Sequence, residues 1–329
     1  GHCLELFAQA APWFPRLGVG VVFDQAPFPR GERLVGEPFH AVELSDRLVE
    51  HPHRGRLAAV RETGGIKDDA AAAPERVFVA PGGGLSPEES ESILDATGLH
   101  LLPGAIDPQV HFREPGQPDR EDIGSGSRAA AAGGVTAFLD MPNNVPAATT
   151  LASIQSKIDS AGRNGVNHHG FFIGATPDNV SDLQDAVGTP EAPSPTDGIC
   201  GIKVFMGSST GDLLVHQQKH LENIFANTGG IIATHAEDED RLNARWPEFE
   251  HRTDIAAHAE WRDEATALLA TQRASALAKD HDHRLHVLHL TTGVEADWLA
   301  ANKGDLITTE TCPQHLTFDE NDVERIGTR

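Results

Sequence analysis

A parallel α/β barrel of the (β/α)8 TIM type is the fold class that the sequence predicts, and three observations predict it. From Leu101 onward, seven apolar runs of strand length recur, each bounded by Gly, Pro or polar residues. Helix-compatible segments alternate with them, the pattern of a parallel sheet covered by helices. Polar residues gather at the carboxyl ends of the runs, where barrel enzymes place their chemistry.

The elements follow in order. Residues 1–95 are rich in Pro, Gly and polar stretches, and only Gly18–Phe23 and Arg76–Ala80 read as strands, of a small N-terminal β-rich domain. Residues 96–329 form the barrel. Its strands are expected at Leu101–Ile106, Val135–Met141, His168–Ile173, Gly201–Met206, Gly230–His235, Leu285–Leu290 and Leu306–Thr311. Helices are expected at Ile123–Ala132, Leu151–Ala161, Leu213–Asn227, Ala256–Lys279 and Val294–Ala301. An open doubly wound sheet shows the same alternation, but no G-x-G-x-x-G follows the first strand, which argues against a dinucleotide site.

Composition narrows the function. Against 26 Lys and Arg stand 49 Asp and Glu, a formal charge of -23 that repels nucleic-acid phosphates and anionic membranes. No run approaches the roughly eighteen apolar residues of a membrane span. The three cysteines, Cys3, Cys200 and Cys312, form no C-x-x-C pair and no disulfide framework. A cytoplasmic protein with a small-molecule substrate is expected, without nucleic-acid or membrane partners.

Lys203 lies amid apolar strand residues, where an isolated ammonium is costly. It either reaches solvent at the strand end or, as a neutral amine, reacts with carbon dioxide to give a carbamate able to bridge two metal ions. His235 and His289 end successive strands and can converge on one zinc ion, although a lone strand histidine is more often a core or rim residue. Alternation turns His286 to the face opposite His289. Gln109 and His111, two residues apart, share a strand face, and Arg113 offers a planar fork for a carboxylate or for a surface salt bridge.

Several motifs now align in one order. Leu102-Pro103-Gly104-Ala105-Ile106-Asp107, His111-Phe112-Arg113-Glu114-Pro115-Gly116, Asp140-Met141-Pro142-Asn143, Lys203-Val204-Phe205-Met206-Gly207, Thr234-His235-Ala236-Glu237-Asp238 and His286-Val287-Leu288-His289 resemble the dihydroorotase family of the amidohydrolase superfamily. The resemblance spans about residues 90 to 320. It implies that His111, Lys203, His235 and His289 are metal ligands, with Lys203 carboxylated and one or two zinc ions bound. It also implies that Arg113 and Asn143 hold the substrate carboxylate, and that the reaction is hydrolysis of the cyclic amide of dihydroorotate to carbamoyl aspartate, with the reverse cyclisation serving pyrimidine synthesis.

The sequence departs from the family at two points. Gln109, a weak metal ligand, stands where the family's first strand has His-x-His. The Asp-x-Ala-Pro-His pattern of the eighth strand does not occur before Arg329, so the catalytic Asp and the last strand are expected beyond it, and the chain as given is expected to have little activity. Allantoinase and dihydropyrimidinase share parts of the pattern. A non-catalytic homologue partnering aspartate transcarbamoylase is a further alternative, as is a homo-oligomer.

Overall fold

A computed structural model describes residues 19–23, 42–43, 100–207 and 213–326. The expected strand at Arg76–Ala80 lies outside them. The chain divides into two compact units. One comprises Gly1–Asp107, Ser125–Phe138 and Val166–His168, the other Pro108–Gly124, Leu139–Gly165 and His169–Arg329.

A three-stranded antiparallel sheet has the order β2-β1-β3, from β1 (Val19–Phe23), β2 (Val42–Glu43) and β3 (His100–Pro103). The run expected as one strand at Leu101–Ile106 breaks at Gly104, where a Cβ would come within 2.1 Å of the Thr136 hydroxyl. Beyond that glycine the chain enters the larger sheet as β4 (Ala105–Val110). Its other strands are β5 (Val135–Asp140), β6 (His168–Gly174), β7 (Ile199–Phe205), β8 (Ile231–His235), β9 (Arg284–Val287) and β10 (Ile307–Thr309). The spatial order is the chain order, β10-β9-β8-β7-β6-β5-β4, and the pairings from β6 to β10 are parallel. Helices fall between strands, as the βαβ crossover of a parallel sheet requires.

Register separates two faces. Ile202, Ile232, Leu285 and Ile307 stand side by side across β7 to β10, and all four are buried, an aliphatic layer. One residue further along, Lys203, Ala233, His286 and Thr308 are side by side on the opposite face, which carries the polar groups.

The helices are α1 (Ile123–Ala132), α2 (Leu151–Asn164), α3 (Val180–Val187), α4 (Gln218–Asn227), α5 (Glu239–Phe249), α6 (Ala256–Trp261), α7 (Glu264–Asp280), α8 (Gly293–Asn302), α9 (Pro313–Thr317) and α10 (Glu320–Ile326). α2 begins at a reciprocal Thr150/Ser153 cap, with each side chain serving the other's backbone N–H. The single helix expected over Ala256–Lys279 is two. Arg262 leaves helical geometry, and Asp263 caps α7 by accepting from the Thr266 N–H at 3.0 Å. Among the described residues no helix is long and apolar enough to cross a membrane.

Candidate active site

Lys203 sits in β7 between Ile202 and Val204, with no exposed surface. Its Nζ has no hydrogen-bond partner and lies 4.6 Å from the centre of the Phe205 ring. Burial pushes the amine down to about 7, against a counter-pull from the Glu310 carboxylate. The strand-end lysine reaching solvent is therefore excluded, and an amine partly neutral near pH 7 stands inside the sheet's polar face.

His235 ends β8. Its Nδ1 is 3.0 Å from His289 Nε2, and its Nε2 is 2.6 Å from the Glu237 carboxylate. Arg262 grips that carboxylate with both arms, Nε to Oε1 at 2.8 Å and NH2 to Oε2 at 2.5 Å. Burial raises the Glu237 carboxyl, but the hydrogen bonds from His235 and Arg262 outweigh it and hold it at about 2. His289 reaches His235 because β9 ends at Val287 and the backbone turns to φ 37° at His289, so strand alternation does not run through from His286. Burial, then the Lys203 charge, pushes His289 down to about 3. His286 lies in Lys203's own layer. It bonds Thr308 Oγ1 at 2.8 Å and comes within 3.2 Å of Glu310 Oε2, at ion-pair distance but without hydrogen-bond alignment.

His111 follows β4, and its Nδ1 is 2.6 Å from Asn143 Oδ1. Burial pushes its imidazole down to about 4, the Asn143 bond opposes this, and the Lys203 and Arg113 charges add to it. Those couplings place Lys203 within electrostatic reach of both His111 and His289. Gln109 is half-buried in β4, with its Oε1 shielded from solvent. Arg113 forms no ion pair among the described residues, so its fork is available beside His111. The Arg113–Gly116 loop passes so close to Val145 that a Cβ at Gly116 would meet Val145 O at 2.0 Å, and Gly116 has φ 107°.

The donor set can be compared with what a metal needs. Among the described residues no three His, Cys, Asp or Glu side chains close on one point. The His235 and His289 nitrogens are 3.0 Å apart, near the roughly 3.3 Å expected for two imidazoles on one tetrahedral zinc with bonds of about 2.0–2.1 Å. The third group at hand is the unpartnered Lys203 amine, which ligates only once converted to an anion. The residues fit a metal on that condition.

Sequence reasoning passed over Glu237, Arg262 and Lys157 as participants, and noted Glu310 only as a polar residue at a strand end. The acidic run after His235 was the one visible signal for Glu237. Arg262 lies 25 residues from its partner in the chain and gave none.

The comparisons agree with this architecture. Residues 98–192 match the family model described as Dihydro-orotase-like. An allantoinase of Deinococcus radiodurans is 33% identical over 246 residues, covering 71% of this chain and 52% of that protein. A dihydroorotase of Methanothermobacter thermautotrophicus is 34% identical over 244 residues, covering 73% and 53%. The chain thus spans about half the length of the curated relatives it matches. Among solved structures, a dihydropyrimidinase from Brevibacillus agri superposes with a TM-score of 0.63 at 28% identity, covering 76% of this chain and 55% of that one. The L-hydantoinase of Arthrobacter aurescens, at 24% identity, shares the fold with a TM-score of 0.65 over 89% of this chain and 59% of that one. With its motifs in the family's order and relatives of both activities, the chain belongs to the dihydroorotase-like family of the amidohydrolase superfamily.

Proposed function

We propose that the protein is a zinc-dependent cyclic amidohydrolase that opens the ring of dihydroorotate to carbamoyl aspartate and closes it again. The observation that carries the reading is the buried Lys203 amine, without a hydrogen-bond partner and coupled by its charge to His289, which pairs with His235. Burying an amine without a hydrogen-bond partner is costly, and a perturbed, buried titratable group of this kind marks a functional site. The neutral amine attacks carbon dioxide, forms an N–C bond and loses a proton, giving an anionic carbamate. With that carbamate, His235 and His289 would hold one ion, and His111, with Gln109 as a weak ligand, would serve a second.

A divalent ion bound there supplies Lewis acidity toward the ring carbonyl and activates water near neutral pH. The chain's own residues do the rest. His111 and His289, both held neutral by burial, offer lone pairs rather than charge. Arg113 and the Asn143 amide nitrogen anchor the substrate carboxylate, because Asn143 Oδ1 is already committed to His111. No group among the described residues is assigned the proton transfer to the leaving nitrogen.

Ring opening of allantoin is the second reading, favoured by the allantoinase relatives. Allantoin lacks a carboxylate, so Arg113 discriminates the two. The test is to assay the full-length protein, loaded with zinc, on dihydroorotate and on allantoin. Preference for allantoin, with no effect of Arg113→Lys, would overturn the dihydroorotate assignment.

A further inference from the structure

Lys157 is a second lysine with no exposed surface, and the chemistry above does not use it. It lies on α2, on the buried stripe formed by Ile154, Lys157, Ser160 and Ala161, where the spacing calls for an apolar side chain. Its ammonium makes two hydrogen bonds and one ion pair. Nζ is 2.8 Å from Met141 O, 2.7 Å from Asn144 Oδ1 and 2.8 Å from Asp140 Oδ2.

The partners lead onward to the two loops that carry the proposed carboxylate anchors. Asp140 Oδ1 accepts the Phe112 N–H at 3.0 Å. The Asn144 amide nitrogen donates to Phe112 O at 3.2 Å and to Glu114 O at 2.9 Å. Arg113 is thereby fixed at the residue before it and the residue after it. Asn143 is bracketed by Met141 O, two residues before it, and Asn144 Oδ1, directly after it, on one ammonium. α2 reaches the first loop a second time, since the Ser160 hydroxyl bonds Glu114 Oε1, while Glu114 Oε2 accepts the Ile123 N–H at the start of α1.

Resting on the reading of Arg113 and Asn143 as carboxylate anchors, we infer that Lys157 is a positioning residue, whose ammonium sets the spacing of the two anchors and so the enzyme's affinity for a carboxylate-bearing ring. Holding a lysine and an aspartate out of water costs several kcal/mol per ion in general, and apolar pairs of similar volume are often as stable or more so. Stability alone is thus a poor reason for this pair. Position is a good one, because a displacement of about 1 Å in a bound substrate can cost about 10²-fold in rate.

The test uses the full-length, zinc-loaded protein with Lys157→Met and with Asp140→Asn/Lys157→Met, the double change leaving no unpaired buried carboxylate. Two quantities are read. KM is measured for dihydroorotate and for hydantoin, a cyclic amide without a carboxylate, and the ¹⁵N resonance of His111 Nδ1 is followed in the metal-free protein as a reporter of its bond to Asn143. The expected result is a KM for dihydroorotate raised about tenfold or more, little change in KM for hydantoin, and a shifted His111 resonance in the double variant. Equal loss on both substrates, or an unmoved resonance with unchanged KM, overturns the inference. So does failure of both variants to fold, which would make the network a brace of the core. Arg113→Lys is the control for the underlying reading. If it leaves dihydroorotate KM unchanged, the carboxylate assignment fails, while the His111 resonance still reports whether Lys157 sets the loops.

Discussion

His235 Nδ1 faces His289 Nε2 at 3.0 Å, while its other ring nitrogen faces the Glu237 carboxylate. The other nitrogen of His235 donates to the Glu237 carboxylate at 2.6 Å, an acceptor that Arg262 keeps ionised. An imidazole with a single N–H that spends it on this carboxylate turns the lone pair of Nδ1 toward His289. The carboxylate thus orients a ligand nitrogen before any ion arrives.

Zinc affinity should therefore depend on Glu237. Glu237→Ala frees His235 to carry its proton on Nδ1 and should weaken zinc binding about 10- to 100-fold, the range typical of lost carboxylate–histidine support. Competition with a chromophoric chelator measures it. Unchanged affinity, with the His235 ring ¹⁵N shifts of the wild type, would show that Glu237 serves Arg262 alone.

Lys203→Met should separate function from stability. The variant replaces an unpartnered buried amine by an apolar chain of similar length, so thermal stability of the metal-free protein should hold or rise. Zinc content should fall, since the carbamate is lost. A melting temperature lowered by many degrees would mean that Lys203 has a structural partner in the folded protein.

Glu237 also predicts an acid limb. Its carboxyl is depressed from 4.5 to about 2. A depressed acid contributes stability that is complete above about pH 4.5 and is lost as pH falls through 4.5 toward 2, where the folded form also takes up its proton. At about 1.4 kcal/mol per unit, the contribution is about 3 kcal/mol. Asp263 and Asp254 titrate in the same acid region, so the readout is the difference between wild type and Glu237→Gln, melted from pH 7 to pH 3. The two curves should converge as pH falls. A gap constant with pH would place the stabilisation elsewhere.

The sequence made strands legible where one period governed them. Lys203 and His235 were visible because each interrupts or ends an apolar run, and burial selects such residues strongly. His289 was found by its position, but the reason it reaches the site was not, since a positive φ at a histidine leaves no trace in a hydrophobic pattern. The division between α6 and α7 was hidden for a related reason. Asp263 reads as an ordinary helix-surface acid until the Arg241 fork and the Thr266 N–H meet on its carboxylate. Lys157 occupies a helix position that usually signals a register error, and only the distant Asp140 and Asn144 make it intelligible.

Gln109 offers the sharpest test of the second metal position. It precedes His111 by two residues near the end of β4, and its Oε1 is shielded from solvent. An amide oxygen binds zinc weakly because it carries no charge and competes poorly with water, whereas a neutral imidazole is a strong zinc ligand. Gln109→His should therefore tighten binding of the more weakly held ion by about tenfold, equal to about 1.4 kcal/mol, and raise the zinc content at limiting metal. The change also introduces a ring of greater bulk than the amide, so the melting temperature of the metal-free variant must be followed alongside. Elemental analysis after dialysis against buffered zinc decides the matter. A zinc content equal to that of the wild type, in a variant that melts at the wild-type temperature, would show that residue 109 does not face the site, and the second metal position would then rest on His111 and the modified lysine alone.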